Sequence, residues 1–559
     1  MTVLVGIFII IGTGLAVHQS VQKKYKSLEP KVDQLFSEWN KPDSPGCALA
    51  IINDGKIIYK KGYGIADLEH DIPITPETVF YIGSTSKQFV AMCILLLEEQ
   101  GKLSLEDDIR KYLPEFPEYD KPITIKQLIH HTSGIRDYLS LWYLSGKSYL
   151  DHMPEDGVYE MICRQKELNF SPGERHLYSN SCYFLLALIV KKASGQSLKE
   201  FAQKNIFNVL GMKNSHFHDD NTHIIKNRAF SYNLNEKGEF ANLIMRFALV
   251  GSGGLYTTVE DLFLWNQNFY HNKLGKSGQQ LIEKMHENGK LNNEQEIDYA
   301  FALVNGTYKG LKTVQHSGGL AGYRAQLIRF PEQNFSIVLL SNLGTFNPNP
   351  LVYKIADLYL ADPFKTVKTK LKKKKTPPKR KTISLAPAAL DKYIGKYKFE
   401  QGFIATISKG DNKLMAQTTG HRKTEIFPES ETKFFLKEGD IQLSFQKEVD
   451  GRFNQLTLHI RGWDSIGKRI ESVTLTDEQL KEYVGDYYSD ELQTAYNIYF
   501  KDRKPFVKIP NYPEVELKIA GKDVFDGRFI ISFQRSEADK IRGFLLDGGR
   551  VKRLRFAKR

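Results

Sequence analysis

Ser84 and Lys87, within Ser84-Thr85-Ser86-Lys87, stand three residues apart, a separation that brings two side chains to one face of a helix. Apolar residues follow at Phe89, Met92, Cys93, Leu96 and Leu97 and the pattern stops near Gly101, so a helix opening at Ser84 is expected. A serine hydroxyl is a weak nucleophile unless a base takes its proton, and a lysine at the positive end of a helix dipole gives up its ammonium form more readily. The pair therefore suits nucleophilic catalysis. Alone, such a tetrad is expected by chance and reads more often as a helix-capping serine beside a solvated lysine.

Two further segments carry chemistry of the same kind. Tyr178-Ser179-Asn180 precedes an apolar helix expected over Cys182 to Val190, so a loop presents a phenol and a carboxamide. A phenol near a lysine can shuttle a proton, and an amide can hold a substrate carbonyl. His316-Ser317-Gly318-Gly319 lies at the end of an expected strand, Gly310 to His316, where glycines let a substrate lie against the backbone. His316 by itself is as consistent with a hydrogen-bonded structural histidine. His216, His218, Asp219, Asp220 and His223 are also close in sequence, but their spacing matches no tight metal motif. No metal and no cofactor is expected, since no dinucleotide, nucleotide or zinc-protease motif is present.

The elements that must position these groups are legible from pattern. A hairpin is expected from Cys47 to Ile52 and Lys56 to Tyr63 around Asn53-Asp54-Gly55. Later strands follow at Tyr323 to Phe330 and Phe335 to Ser341. Between residues 363 and 385 the chain is rich in lysine: Lys365, Lys368, Lys370, Lys372, Lys373, Lys374, Lys375, Lys379, Arg380 and Lys381 supply ten of the thirteen excess positive charges. With no interleaved aromatic residues, this reads as a solvated linker rather than a nucleic-acid surface, with attraction to an anionic membrane as the sharper alternative. Beyond it, Leu390-Asp391-Lys392-Tyr393-Ile394-Gly395-Lys396-Tyr397 is echoed by Leu480-Lys481-Glu482-Tyr483-Val484-Gly485-Asp486-Tyr487. Two similar antiparallel barrels are expected, over residues 386–470 and 474–559.

Length and composition fit several domains: 559 residues, 41% hydrophobic and 12% aromatic. The apolar run Thr2 to Val17 reaches only ~24 Å as a helix, which favours a signal peptide over a full span. Lys23, Lys24 and Lys26 follow it, a bias that keeps a short uncleaved anchor open. Residues 1–20 are therefore read as signal peptide or anchor, and the protein as exported, periplasmic or held at the membrane or cell surface. Cys47, Cys93, Cys163 and Cys182 show no metal-type or redox-type spacing.

The order S-x-x-K, Y-x-N, H-x-G is similar to the three-element signature of β-lactamases and penicillin-binding proteins. Residues 28–362 resemble the family that holds class C β-lactamases, D-aminopeptidases, serine D-peptidases and related esterases. Phe80 to Lys87, Leu128 to Gly134 and Gly253 to Thr258 followed by Asp261-Leu262 strengthen the likeness. The resemblance implies an α+β fold, an α/β/α sandwich with an antiparallel sheet and a helical insertion, followed here by two small lipocalin-like barrels. It implies Ser84 as nucleophile, Lys87 and Tyr178 as proton-transfer pair, Asn180 as substrate ligand, and backbone amides of Ser84 and Gly319 as oxyanion donors. His316 and Gly318 would line the opposite wall, and His131-Thr132-Ser133-Gly134 would shape the fold. Histidine at 316, where lysine is usual, implies weak or no β-lactamase activity. The expected function is hydrolysis of small amides, peptides or esters through an acyl-enzyme. An acyltransferase using the same intermediate, or a non-catalytic envelope-binding protein, are the alternatives; retention of Ser84, Lys87, Tyr178 and Asn180 argues against the last.

Overall fold

Strand β1 (Cys47–Asn53) is buried along almost its whole length, and its side chains divide between two cores with the two-residue period of a pleated strand. Ala48, Ala50 and Ile52 join one cluster, and Cys47, Leu49 and Ile51 the other. A strand buried on both faces must lie between two helical layers, and this one does. The structure, a computed structural model, describes residues 25–366 and 380–559, apart from 412, 420, 438–440, 461–462 and 503. The expected N-terminal signal or anchor and most of the expected lysine-rich linker lie outside the described residues. Among the described residues, no helix is long and apolar enough to cross a membrane.

β1 turns at Asp54 and Gly55, both at positive φ (46° and 74°), into β2 (Lys56–Tyr63), as a tight two-residue hairpin demands. The remaining strands come from far along the chain: β3 (Val304–Tyr308), β4 (Leu311–Leu320), β5 (Tyr323–Phe330) and β6 (Phe335–Ser341). The antiparallel sheet runs β3-β4-β5-β6-β1-β2. One face carries the buried helix α1 (Lys87–Glu99), together with α2 (Asn180–Ser194) and α3 (Val259–Asn268), in a single core. The other is covered by α4 (Pro348–Tyr359). This is the α/β/α sandwich of an α+β protein.

Two details position the segment His316–Leu320 beside Ser84. β3 pairs only with the Leu311–Gln315 part of β4, so the stretch from His316 to Leu320 has no neighbour on that edge. The 3₁₀ turn Gly83–Ser86 packs against it instead. The expected strand end at His316 is thus extended to Leu320, and Ser84 sits in a 3₁₀ turn just ahead of α1 rather than in the helix itself.

The two sequence copies form the two expected barrels. In the first, eight antiparallel strands from Gly395–Phe399 to Trp463–Ile470 close into a barrel, with Lys396 opposite Ile470. In the second, a nine-stranded sheet has Val515–Glu516 and Lys518–Gly521 at its edges. These segments adjoin in sequence, so the sheet curls nearly to closure. The shared motif does the same work in both copies: Tyr397 Oη donates to the Tyr393 carbonyl at 3.0 Å, and Tyr487 Oη to that of Tyr483 at 2.8 Å.

The second barrel docks on the sandwich through Arg136. Its guanidinium is buried and donates to Glu491 Oε2 (2.6 Å), to Gln165 Oε1 (2.9 Å) and to the carbonyls of Lys552 and Arg553. Removing one member of a buried ion pair leaves an uncompensated charge, at a cost of about 3–5 kcal/mol. Glu491→Ala should therefore lower the urea midpoint markedly and Glu491→Gln less so. Equal midpoints for wild type and Glu491→Ala would show that the pair does not hold the docking.

Candidate active site

Lys87 begins α1 and is completely buried. Its Nζ lies 3.1 Å from Ser84 Oγ, 2.9 Å from Asn180 Oδ1 and 2.5 Å from the Ser252 carbonyl. No carboxylate is among these three contacts. Burial holds Lys87 well below the ordinary lysine range, the Arg550 cation adds to this, and Asp137 opposes it. A neutral amine has two N–H groups and one lone pair. The Asn180 and Ser252 oxygens are pure acceptors and take both N–H groups, which leaves the lone pair for the Ser84 hydroxyl. The geometry thus suits a base that removes the Ser84 proton.

Asn180 starts α2 and is itself held: its backbone N–H and its Nδ2 both donate to Asp137 Oδ2, at 2.7 and 2.8 Å. Asp137 Oδ1 meanwhile caps the helix Tyr138–Leu144 by accepting from Ser140 N. The Tyr178 ring stands over Lys87, with Nζ 4.9 Å from its centroid. Its phenol oxygen is buried. Burial raises the Tyr178 pKa, while the Ser84 hydroxyl and Arg550 pull it back.

The opposite wall is the free half of β4. A Cβ added to Gly318 would meet the Ile82 carbonyl at 1.9 Å and Ser84 N at 2.9 Å, and one added to Gly83 would meet Gly319 N at 2.5 Å. Only glycines allow this approach, which sets the Ser84 and Gly319 backbones side by side. His316 faces the same cleft, but the protein engages both its nitrogens. Ser179 N–H donates to His131 Nδ1, His131 Nε2–H reaches Tyr299 Oη at 3.3 Å, Tyr299 Oη–H donates to His316 Nε2 at 3.1 Å, and His316 Nδ1–H donates to the Ser317 carbonyl at 2.6 Å. This relay fits one neutral tautomer throughout. Burial and Lys87 push the His316 pKa down to about 4.

These walls enclose a cleft of about 490 Å³ that brings together Ser84, Tyr178, Asn180, His316, Gly318 and Gly319, with Lys87 beneath its floor. Sequence reasoning passed over Asp137, Ser252, Tyr299 and Arg550. Arg550 comes from the second barrel, at the turn between Ile541–Gly548 and Val551–Lys558. It stacks 4.7 Å over the Tyr178 ring and lies 3.6 Å from Asp137 Oδ2. Asp137 follows the Leu128 to Gly134 segment closely and has the residue type of a helix cap, a usable signal. Nothing local marks Arg550.

The other motifs resolve differently. The rings of His216, His218 and His223 lie 5.5–6.3 Å apart. Asp219 pairs with Lys199, and Asp220 binds Thr222. The four cysteines are free thiols, three of them buried.

A serine hydroxyl against a buried lysine whose pKa is held well below the ordinary range, with a tyrosine and an asparagine across an α/β/α sandwich, defines a serine hydrolase of the β-lactamase type. Consistent with this, the beta-lactamase family model matches residues 32–360, more than half of the chain, and the chain belongs to that family. A domain of unknown function (DUF3471) matches residues 379–466. The chain is 28% identical over 440 residues to penicillin-binding protein 4* of Bacillus subtilis, covering 76% of this chain and 94% of that one. It is 24% identical over 458 residues to a D-aminopeptidase of Brucella anthropi, with 80% of each covered. The octameric penicillin-binding protein homologue of Pyrococcus abyssi superposes with a TM-score of 0.54 at 25% identity, covering 79% of this chain and 99% of that one.

The neutral histidines have a consequence for stability. His130, His176, His286 and His316 are held at about 4, chiefly by burial, against ~6.5 in an unfolded chain. Between these values the unfolded state binds more protons, so stability is fully present above the unfolded value and is lost as pH falls through the window. The urea midpoint should drop steadily from pH 7 to pH 5, before most carboxylates titrate. A flat or rising midpoint over that range would contradict the buried neutral assignment.

Proposed function

We propose that this serine hydrolase cleaves small amides, short peptides or esters through an acyl-enzyme on Ser84. The observation that carries the reading is the buried Lys87 amine 3.1 Å from the Ser84 hydroxyl, with both other contacts to acceptors. Lys87 takes the Ser84 proton as the hydroxyl attacks the substrate carbonyl. The tetrahedral oxyanion is met by the backbone amides of Ser84 and Gly319. The proton then passes to the leaving amine or alkoxide through Tyr178, and water reverses the sequence to release the acid. Asn180, fixed by Asp137, orients the acyl side.

Among the described residues that line the cleft, Arg550 is the permanent cation, and His316 is neutral at physiological pH. This arrangement favours substrates that direct a carbonyl or carboxylate towards Arg550, such as amino-acid amides and short peptides. The D-aminopeptidase likeness supports the same class. A β-lactam whose carboxylate relies on a lysine at position 316 gains no such partner here, so weak or no β-lactamase activity belongs to the reading.

A fluorescent fluorophosphonate should label Ser84, as located by mass spectrometry, and Ser84→Ala should abolish the label. Lys87→Ala and Tyr178→Phe should each lower kcat on D-amino-acid amides by ~10²–10⁴-fold, the usual contribution of a positioned acid or base. Labelling at another residue, or retained turnover in Ser84→Ala, would overturn the assignment.

A further inference from the structure

The first barrel is filled at one end and hollow at the other. Along its strands the inward positions change in size: Phe445 opposite Leu456, then Leu443 opposite Leu458, then Ile441 opposite Ile460. At the Phe445 level the interior is closed by aromatic rings, with Tyr393 about 5 Å from each of Phe434, Phe445 and Phe453. Beyond it the wall is mostly apolar, with Leu436, Ile441, Leu443, Leu458 and Ile460 joined by Phe403, Phe529 and three threonines, and the small side chains of Ala405 and Ala416 leave room. A cavity of about 690 Å³ opens there. That volume falls within the range of small-molecule sites, and eight strands give an interior wide enough for one small ligand.

The rim differs from the wall. Exposed Arg422, Arg528 and His421 and half-buried Lys552 belong to the lining, with Asp547 as the one carboxylate among the described lining residues. Arg528, Phe529, Asp547, Gly549 and Lys552 come from the second barrel, which forms part of the entrance. Burial lowers the Lys552 pKa and Asp547 raises it, so an anion arriving at the mouth would stabilise a partly desolvated ammonium. The turn that carries Asp547 and Gly549 on this side presents Arg550 to the catalytic cleft on the other.

We propose that this cavity binds a single-chain amphipath with an anionic head, of the fatty-carboxylate class. The alkyl chain runs down the apolar wall to the Phe445–Leu456 floor, and the head group lies at the rim between Arg528, Lys552 and Arg422. An apolar void of this size gains by exchanging water for a hydrocarbon chain. These cations select the charge of the head. The site is independent of the hydrolytic reading, because none of its residues touches Ser84.

The test uses the full chain and 11-(dansylamino)undecanoate, whose fluorescence rises on entering an apolar site. Saturable one-to-one binding is expected, unchanged after Ser84 is blocked with fluorophosphonate. Laurate should displace the probe, and dodecyltrimethylammonium should compete at least ~10-fold less well, a difference of about 1.4 kcal/mol. Ala416→Phe, which fills the void, should weaken binding at least ~10-fold, with Ser84 labelling and the thermal transition as controls for folding. Arg528→Ala combined with Lys552→Met should weaken laurate binding while leaving dodecanol displacement unchanged. Absence of saturable binding, loss of binding on blocking Ser84, equal competition by the cationic amphiphile, or full affinity in a folded Ala416→Phe would each overturn the proposal.

Discussion

Burying the Lys87 amine is the constraint on which the site depends. An ammonium removed from water without a counter-charge is expensive, and a protein meets that cost by neutralising the group. Among the described residues no carboxylate contacts Nζ; it meets one hydroxyl and two acceptor oxygens. Once neutral, an amine that donates to both acceptors turns its lone pair to Ser84. The sandwich exists, for functional purposes, to keep that amine dry: α1 is buried from Lys87 to Leu97, and the cores above and below the sheet exclude water from it.

The same constraint propagates outward. Asn180 holds Lys87, Asp137 holds Asn180 with both a backbone and a side-chain contact, and Arg550 stands within 3.6 Å of Asp137. The backbone of this turn is also engaged, because the Arg550 carbonyl accepts from Asn169 Nδ2 at 3.0 Å. Next to Asp137, Arg136 is buried against Glu491 and two carbonyls of the second barrel. The C-terminal barrel is therefore part of the electrostatic environment of Lys87, since its Arg550 is one of the charges that lower the Lys87 pKa.

What was legible in the sequence is what local geometry determines. Asn53-Asp54-Gly55 needs positive φ at two positions and gave the hairpin, and S-x-x-K with its apolar period gave the Ser84–Lys87 pair. The tyrosine-bearing repeat gave two barrels, because each copy ties its own second tyrosine to the carbonyl four residues earlier. What was not legible depends on chain segments far apart. Ser252 enters through a backbone carbonyl, which no residue type announces. Tyr299 matters only because the sheet places it between His131 and His316. Arg550 lies more than 370 residues from Tyr178 in sequence and reaches it only through docking of the second barrel. The extension of β4 through Gly318 and Gly319 was hidden because glycines usually end a strand, whereas here they permit the Ser84 turn to close in.

The account rests on a lysine that is already neutral at physiological pH, and the pH dependence of Ser84 acylation tests this most directly. The second-order rate of fluorophosphonate labelling reports the free enzyme's base. It should be on its plateau at pH 7, fall only on the acid side, and show an acid limb moved to higher pH in Arg550→Ala, because the Arg550 cation helps to depress Lys87. A rate that climbs continuously to ~10, the ordinary lysine value, and is indifferent to Arg550 would contradict it.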